Sequence, residues 1–147
     1  METVINSLKN IIKGSVILPE DSNYDEARKA YNGMIDKHPA IILKCLDADD
    51  VVKGVNYAME NQMEISIKSG GHNGAGLALV DKGLVIDLSE MKDIQINPNE
   101  KSGKIQPGNT LADVDKATHE YGLALPSGIV GSTGIGGITL GGGIGYL

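Results

Sequence analysis

Apolar side chains recur with helical spacing over residues 2–12, at Val4, Ile5, Leu8, Ile11 and Ile12. This predicts an opening amphipathic helix. "SVILP" then reads as a short strand stopped by Pro19. "DEARKAYNGM" reads as a second helix, with Asp25 and Glu26 in its first turn, where the helix dipole favours acidic groups. "AIILKCL", a continuous apolar run bounded by Pro39, fits a buried strand.

The segment "DADDVVKGVNYAMENQ" carries a fuller helix signal. Asp47 is a candidate N-cap with Asp50 three residues on. Val51, Val52, Val55, Ala58 and Met59 share one face. "EISIK" (Glu64 to Lys68) follows as a strand. Strand 41–46, helix 48–61 and strand 64–68 make a βαβ unit, so its two strands are expected to be parallel. Beyond it, "GLVIDLSEM", "DIQINP" and "KSGKIQPG" read as three short antiparallel strands joined by tight turns. "TLADVDKATHEYG" reads as a helix. Thr110 and Asp113 have capping-box spacing, Leu111, Val114, Ala117 and Tyr121 form its apolar face, and Gly122 follows its end.

A length of 147 residues suits one domain. With Phe and Trp absent, the core must be aliphatic. The net charge of −6 without a basic stripe argues against a nucleic-acid or anionic-membrane partner. The single Cys45 cannot form an internal disulfide, which favours a reducing, cytoplasmic setting. The opening "METVINSLKN" lacks the signature of a signal peptide, and no apolar run is long enough to predict a membrane span.

Glycine changes the picture most: the 20 glycines are about twice average usage. They cluster in "IKSGGHNGAGLAL", directly after the βαβ unit, and in the tail "GIVGSTGIGGITLGGGIGYL". The first cluster lies at the carboxyl end of a strand, where ligands bind in α/β architectures. Glycines there let a backbone approach a ligand closely, and diphosphate is the usual beneficiary. Two familiar phosphate motifs are disfavoured. The dinucleotide fingerprint needs a helix immediately afterwards, whereas "LALVDKGLVIDL" reads as strand. The P-loop needs Gly-Lys-Ser/Thr, which does not occur.

The runs "IKSGGHNGAG", "GLVIDLSEM" and "GLALPSGIVGSTGIGGITLGGGIGYL", in this order, resemble the berberine-bridge-type FAD-linked oxidases. These belong to the vanillyl-alcohol-oxidase (PCMH-type FAD-binding) superfamily. The resemblance starts at "GSVILPEDSNYDEARKAYN" and covers essentially the whole chain. It implies an α+β, PCMH-type FAD-binding fold, with a small parallel βαβ part followed by antiparallel strands with helices. Family members are well over twice this length, so residues 1–147 are expected to be the amino-terminal part of the domain, through truncation or gene splitting, with the substrate domain absent.

The resemblance also implies the site. Backbone amides of Ser69, Gly70, Gly71, His72, Asn73 and Gly74 would wrap the FAD pyrophosphate. Lys68, where the family usually has Arg, would supply a point charge rather than a bidentate fork. His72 occupies the position of the histidine that many members bond to the flavin 8α-methyl. Gly128 and the segment holding Ser132, Thr133, Gly134, Gly136 and Gly137 would meet the pyrophosphate and the flavin edge. Val130 stands near the position where some members carry a second, cysteine attachment, so a single bond is expected.

No catalytic base and no metal ligand set is expected in this stretch. His38, His119 and Cys45 are read as structural or surface residues, and Asp87, Ser89 and Met91 as a strand end and turn. The implied activity is hydride transfer to FAD from a substrate C–H beside an alcohol, sugar hydroxyl or amine, with dioxygen as acceptor. The rivals are a non-catalytic flavin-binding remnant, one half of a split enzyme with a partner chain, or a reductase on the same scaffold. The tail from Ile129 onward is expected to be poorly anchored, because its apolar residues are separated by glycines that cost entropy to order.

Overall fold

The computed structural model describes residues 8–146. Residues 8–11 are helical (α1), and Leu8 is fully buried. Ile12 lies just past its end, and positions 2–7 of the predicted first helix, Val4 and Ile5 among them, lie outside the described residues. There follow β1 (Ser15–Ile17), α2 (Tyr24–Ala27), β2 (Ile41–Lys44), α3 (Ala48–Glu60), β3 (Ile65–Lys68), β4 (Leu84–Asp87), β5 (Ile94–Asn97), β6 (Ser102–Ile105), α4 (Leu111–His119) and α5 (Ile135–Gly141).

A four-stranded sheet has the order β1-β2-β4-β3, with β1 antiparallel and the other three parallel. The two strands of the βαβ unit are parallel to each other, but β4 lies between them. Leu84 is in register with Ile41 on one side and Ile65 on the other. This corrects the reading of "GLVIDLSEM" as an antiparallel strand. The physical reason is burial on both faces: Leu84, Val85 and Ile86 are all 0% exposed. A run of that kind belongs at the centre of a parallel sheet. Only β5 and β6 form the antiparallel pair, in a separate sheet.

Side chains alternate across the main sheet, as a period of two requires. Ile41, Leu43, Leu84 and Ile86 face Tyr57 and Ala58 of α3. Ile42 and Val85 face the other way, toward Ile17, Tyr24, Ala27, Leu79 and Val80. Both predicted helix starts are present. Asp47 accepts from the Asp50 amide at 3.0 Å, and Thr110 and Asp113 form a reciprocal capping box. The Asp50 carboxylate is buried and pins the chain entering β1, accepting from the Lys13 and Gly14 amides at 2.8 and 2.9 Å.

Three local expectations differ. The helix predicted over 25–34 is a single turn, because the next segment turns its amides elsewhere. Tyr31 donates to the Gly71 carbonyl, and the Asn32 side chain accepts from the Met34 amide. The apolar face predicted for α4 is also shorter than its spacing suggests, since Tyr121 lies beyond the helix end and is 50% exposed. Thr118 is buried instead, its hydroxyl donating to the Val114 carbonyl. Finally, the tail is anchored at its start. The Leu111 and Ala112 amides donate to the Thr133 and Gly131 carbonyls, and the Ile135 amide donates to the Asn109 carbonyl. Past α5, Ile144 and Tyr146 are exposed.

Candidate functional site

The site begins where β3 and β4 end together, with Lys68 opposite Asp87. Leaving β3, the chain meets the second glycine segment backbone to backbone. A Cβ on Gly70 would lie 2.4 Å from the Gly134 nitrogen, and one on Gly134 would lie 2.2 Å from the Gly70 nitrogen. Only two glycines allow this crossing. Ser69 locks it by donating to the Pro107 carbonyl at 2.6 Å. Gly71 takes a positive φ of 70°, which a side chain would strain.

The loop's carbonyls are engaged from the 30s segment: the Tyr31 amide donates to Gly71 O at 3.0 Å and Asn32 Nδ2 to Gly74 O at 2.9 Å. Its amides are not. Among the described residues, the N–H groups of Gly70, Gly71, His72, Asn73 and Gly74 donate to no protein acceptor. These five residues line a cleft of about 500 Å³, whose other wall includes Thr133, Gly134, Gly137 and Ile138. Successive unpaired amides on a concave wall form an anion-binding surface.

His72 stands at this wall. Its ring stacks on Tyr31, with centroids 4.0 Å apart and planes 16° from parallel. Its Nε2 lies 3.2 Å from Ser132 Oγ. Among the described residues, Nδ1 has no hydrogen-bond partner.

Not every residue singled out from the sequence reaches the cleft. Lys68 turns beneath the loop, donating to the Ala27 carbonyl at 2.7 Å and lying 3.5 Å from the buried Asp87 carboxylate. Its charge is spent on Asp87, and it faces a separate cavity of about 260 Å³. Gly128 lines another cavity, of about 360 Å³, beside Ile138. Gly136 packs on Pro107. Ser132 meets the site through His72. Cys45 is fully buried, and burial first, then the carboxylates of Asp50, Asp87 and Asp47, push its thiol up to about 12. Sequence reasoning missed Tyr31 and Asn32, which lie in the segment read as helix. Nothing in the local pattern there signals a role in the glycine loop.

A glycine-built wall whose amides lack protein acceptors, with His72 at its middle, suits an anionic, phosphate-bearing cofactor. The FAD binding domain family model matches residues 39–147, and the chain belongs to that family. It is 40% identical over 136 residues to (R)-6-hydroxynicotine oxidase of Paenarthrobacter nicotinovorans, covering 92% of this chain and 30% of that protein. It is 38% identical over 139 residues to an uncharacterized FAD-linked oxidoreductase of Bacillus subtilis, YgaK, covering 95% of this chain and 31% of that one. The crystal structure of 6-hydroxy-D-nicotine oxidase from Arthrobacter nicotinovorans superposes with a TM-score of 0.90 over 92% of this chain and 30% of that chain, at 40% identity. The BBE-like 1 structure from Physcomitrella patens superposes with a TM-score of 0.88 over 97% of this chain and 31% of that one, at 26% identity. The fold is therefore a partial PCMH-type FAD-binding domain, and the chain spans about a third of the length of these relatives.

The residues present fit FAD. Gly74 and Gly137 line the cleft, and a Cβ on either would meet no protein atom within 4 Å. Nothing in the protein's own packing requires glycine there, whereas a ligand lying against the wall would. Among the described residues, no helix is long and apolar enough to cross a membrane, and no cluster of side chains could hold a metal ion.

Proposed function

We propose that this chain is the FAD-binding portion of an oxidase that removes a hydride from a C–H bond beside an alcohol, sugar hydroxyl or amine. The observation that carries the reading is the row of five amides without protein acceptors, Gly70 to Gly74, centred on His72. FAD would supply the hydride-accepting centre, and dioxygen would take the electrons onward. The amides of Gly70 to Gly74 would hold the diphosphate, with Thr133, Gly134 and Gly137 closing the opposite wall. The 40% identity to (R)-6-hydroxynicotine oxidase supports an oxidase. The single, buried and unpaired Cys45 supports a reducing, cytoplasmic setting.

We further propose that His72 bonds the flavin 8α-methyl, through one attachment only. An unprotonated imidazole nitrogen is the nucleophile this step needs. The bond would take one hydrogen from the imidazole and one from the methyl group, with dioxygen as the two-electron acceptor, giving hydrogen peroxide. Val130 offers no second nucleophile. The test is to co-express or fuse the chain with the remaining segment of a full-length relative, load FAD and denature with acid. Yellow colour is expected to pellet with the protein and to be lost in His72→Ala. Colour retained by the variant, or released from a parent that had bound FAD, would rule His72 out.

A second reading has its own observation. Leu140, Ile144 and Tyr146 are about nine-tenths exposed. Such apolar exposure supports one half of a split enzyme, completed by a partner chain. Co-purification with a separately encoded substrate domain would favour it over a non-catalytic remnant.

A further inference from the structure

Tyr31 lies outside the amide wall, yet three chain segments converge on the ring it touches. Its ring lies on one face of the His72 imidazole. Its own amide donates to the carbonyl of Gly71, the residue before His72, at 3.0 Å. Ser132, from the second glycine segment, reaches Nε2 with its hydroxyl at 3.2 Å. Tyr31 is 68% exposed and Ser132 is exposed, so neither contributes to the core. Folding alone gives no reason for this convergence.

Stacking fixes the plane of an aromatic ring. A hydrogen bond to one edge fixes its rotation within that plane. Without them, an imidazole beside a glycine with positive φ would sample several rotamers, and a poorly aligned nucleophile reacts slowly. We propose that Tyr31 and Ser132 are positioning residues that hold the His72 ring in one orientation at the cleft wall, ready for the flavin. The inference rests on the reading of His72 as the attachment point, but the clamp is built from this chain alone and can be observed without flavin.

The experiment is NMR of the 147-residue chain carrying isotope-labelled histidine, with no FAD added. The His72 ring protons Hδ2 and Hε1 are expected to be displaced by the Tyr31 ring current, each by its own amount, as a fixed ring orientation requires. Tyr31→Ala removes the displacement and Tyr31→Phe retains it. Ser132→Ala lets the ring turn within its plane and evens out the two displacements, and Ser132→Thr restores their difference. The backbone amide spectrum is expected to stay unchanged outside the immediate neighbourhood, which separates positioning from folding. Ring signals at free-histidine positions, or signals indifferent to both alanine variants in folded protein, would overturn the proposal. If Tyr31→Ala or Ser132→Ala does not fold, the wild-type ring signals and the two conservative variants still decide it. A clamped His72 that fails to retain flavin in acid would instead overturn the attachment and leave the clamp standing.

Discussion

A Cβ on Gly70 would sit 2.4 Å from a backbone nitrogen of the opposite segment, while a Cβ on Gly74 would meet nothing within 4 Å. Gly70→Ala is therefore expected to force the two glycine segments apart. The cost should be about 1–3 kcal/mol, the usual range for overpacking a close contact, read as a shift in the urea midpoint. Gly74→Ala is expected to leave that midpoint unchanged and to weaken FAD binding, read by titration of flavin fluorescence. Equal stability loss in both variants would contradict the assignment of one glycine to packing and the other to the cofactor. The sequence shows both residues as members of one glycine run. Their different roles depend on Gly134, which only the folded chain brings beside Gly70.

The capping box of α4 was legible from residue types three apart, because a cap is a local device. Thr110 accepts from the Asp113 amide, and Asp113 accepts from the Thr110 amide at 2.8 Å and from Lys92 Nζ at 3.0 Å. Thr110→Ala is expected to cost about 1 kcal/mol in urea denaturation. The Thr110 amide first, then Lys92, draws the Asp113 carboxyl down to about 2 from the ordinary 3.8. A carboxyl depressed on folding stabilises the native state above its unfolded value. This contribution is present above about pH 4 and fades as pH falls toward 2. Asp113→Asn is expected to lower stability near neutrality and to flatten the fall over that acid window. Parallel pH profiles for the two proteins would sink this account. The predicted helix over 25–34 marks the opposite case at the same scale. Its acidic first turn is present, but the Tyr31 amide goes to Gly71 rather than to a helical carbonyl.

At the scale of the whole molecule, the chain belongs to an FAD-binding family, holds a glycine-lined cleft and spans about a third of its relatives' length. Among the described residues, no titratable side chain other than His72 lines the cleft. The 147-residue chain supplied with FAD is expected to give no turnover of sugars, alcohols or amines, followed as hydrogen peroxide. Reproducible turnover by the pure chain would show that it contains a complete catalytic centre. Apolar runs and cap spacings pointed to strands at 41–46 and 64–68, a helix at 48–61 and a capped helix after Thr110, which the structure holds at 41–44, 65–68, 48–60 and 111–119, while the resemblance of three motifs pointed to the family. Each of these is written within a few consecutive residues, through side-chain period or hydrogen bonds of short reach. The place of β4 between β2 and β3 was decided by packing, since the same apolar run satisfies either a central or an antiparallel position until burial on both faces selects one. The pairing of Gly70 with Gly134, the burial of Lys68 against Asp87 and the stacking of Tyr31 on His72 likewise join residues far apart in sequence. Contacts of that kind leave no periodic trace, because they exist only after the sheet has brought its loops together.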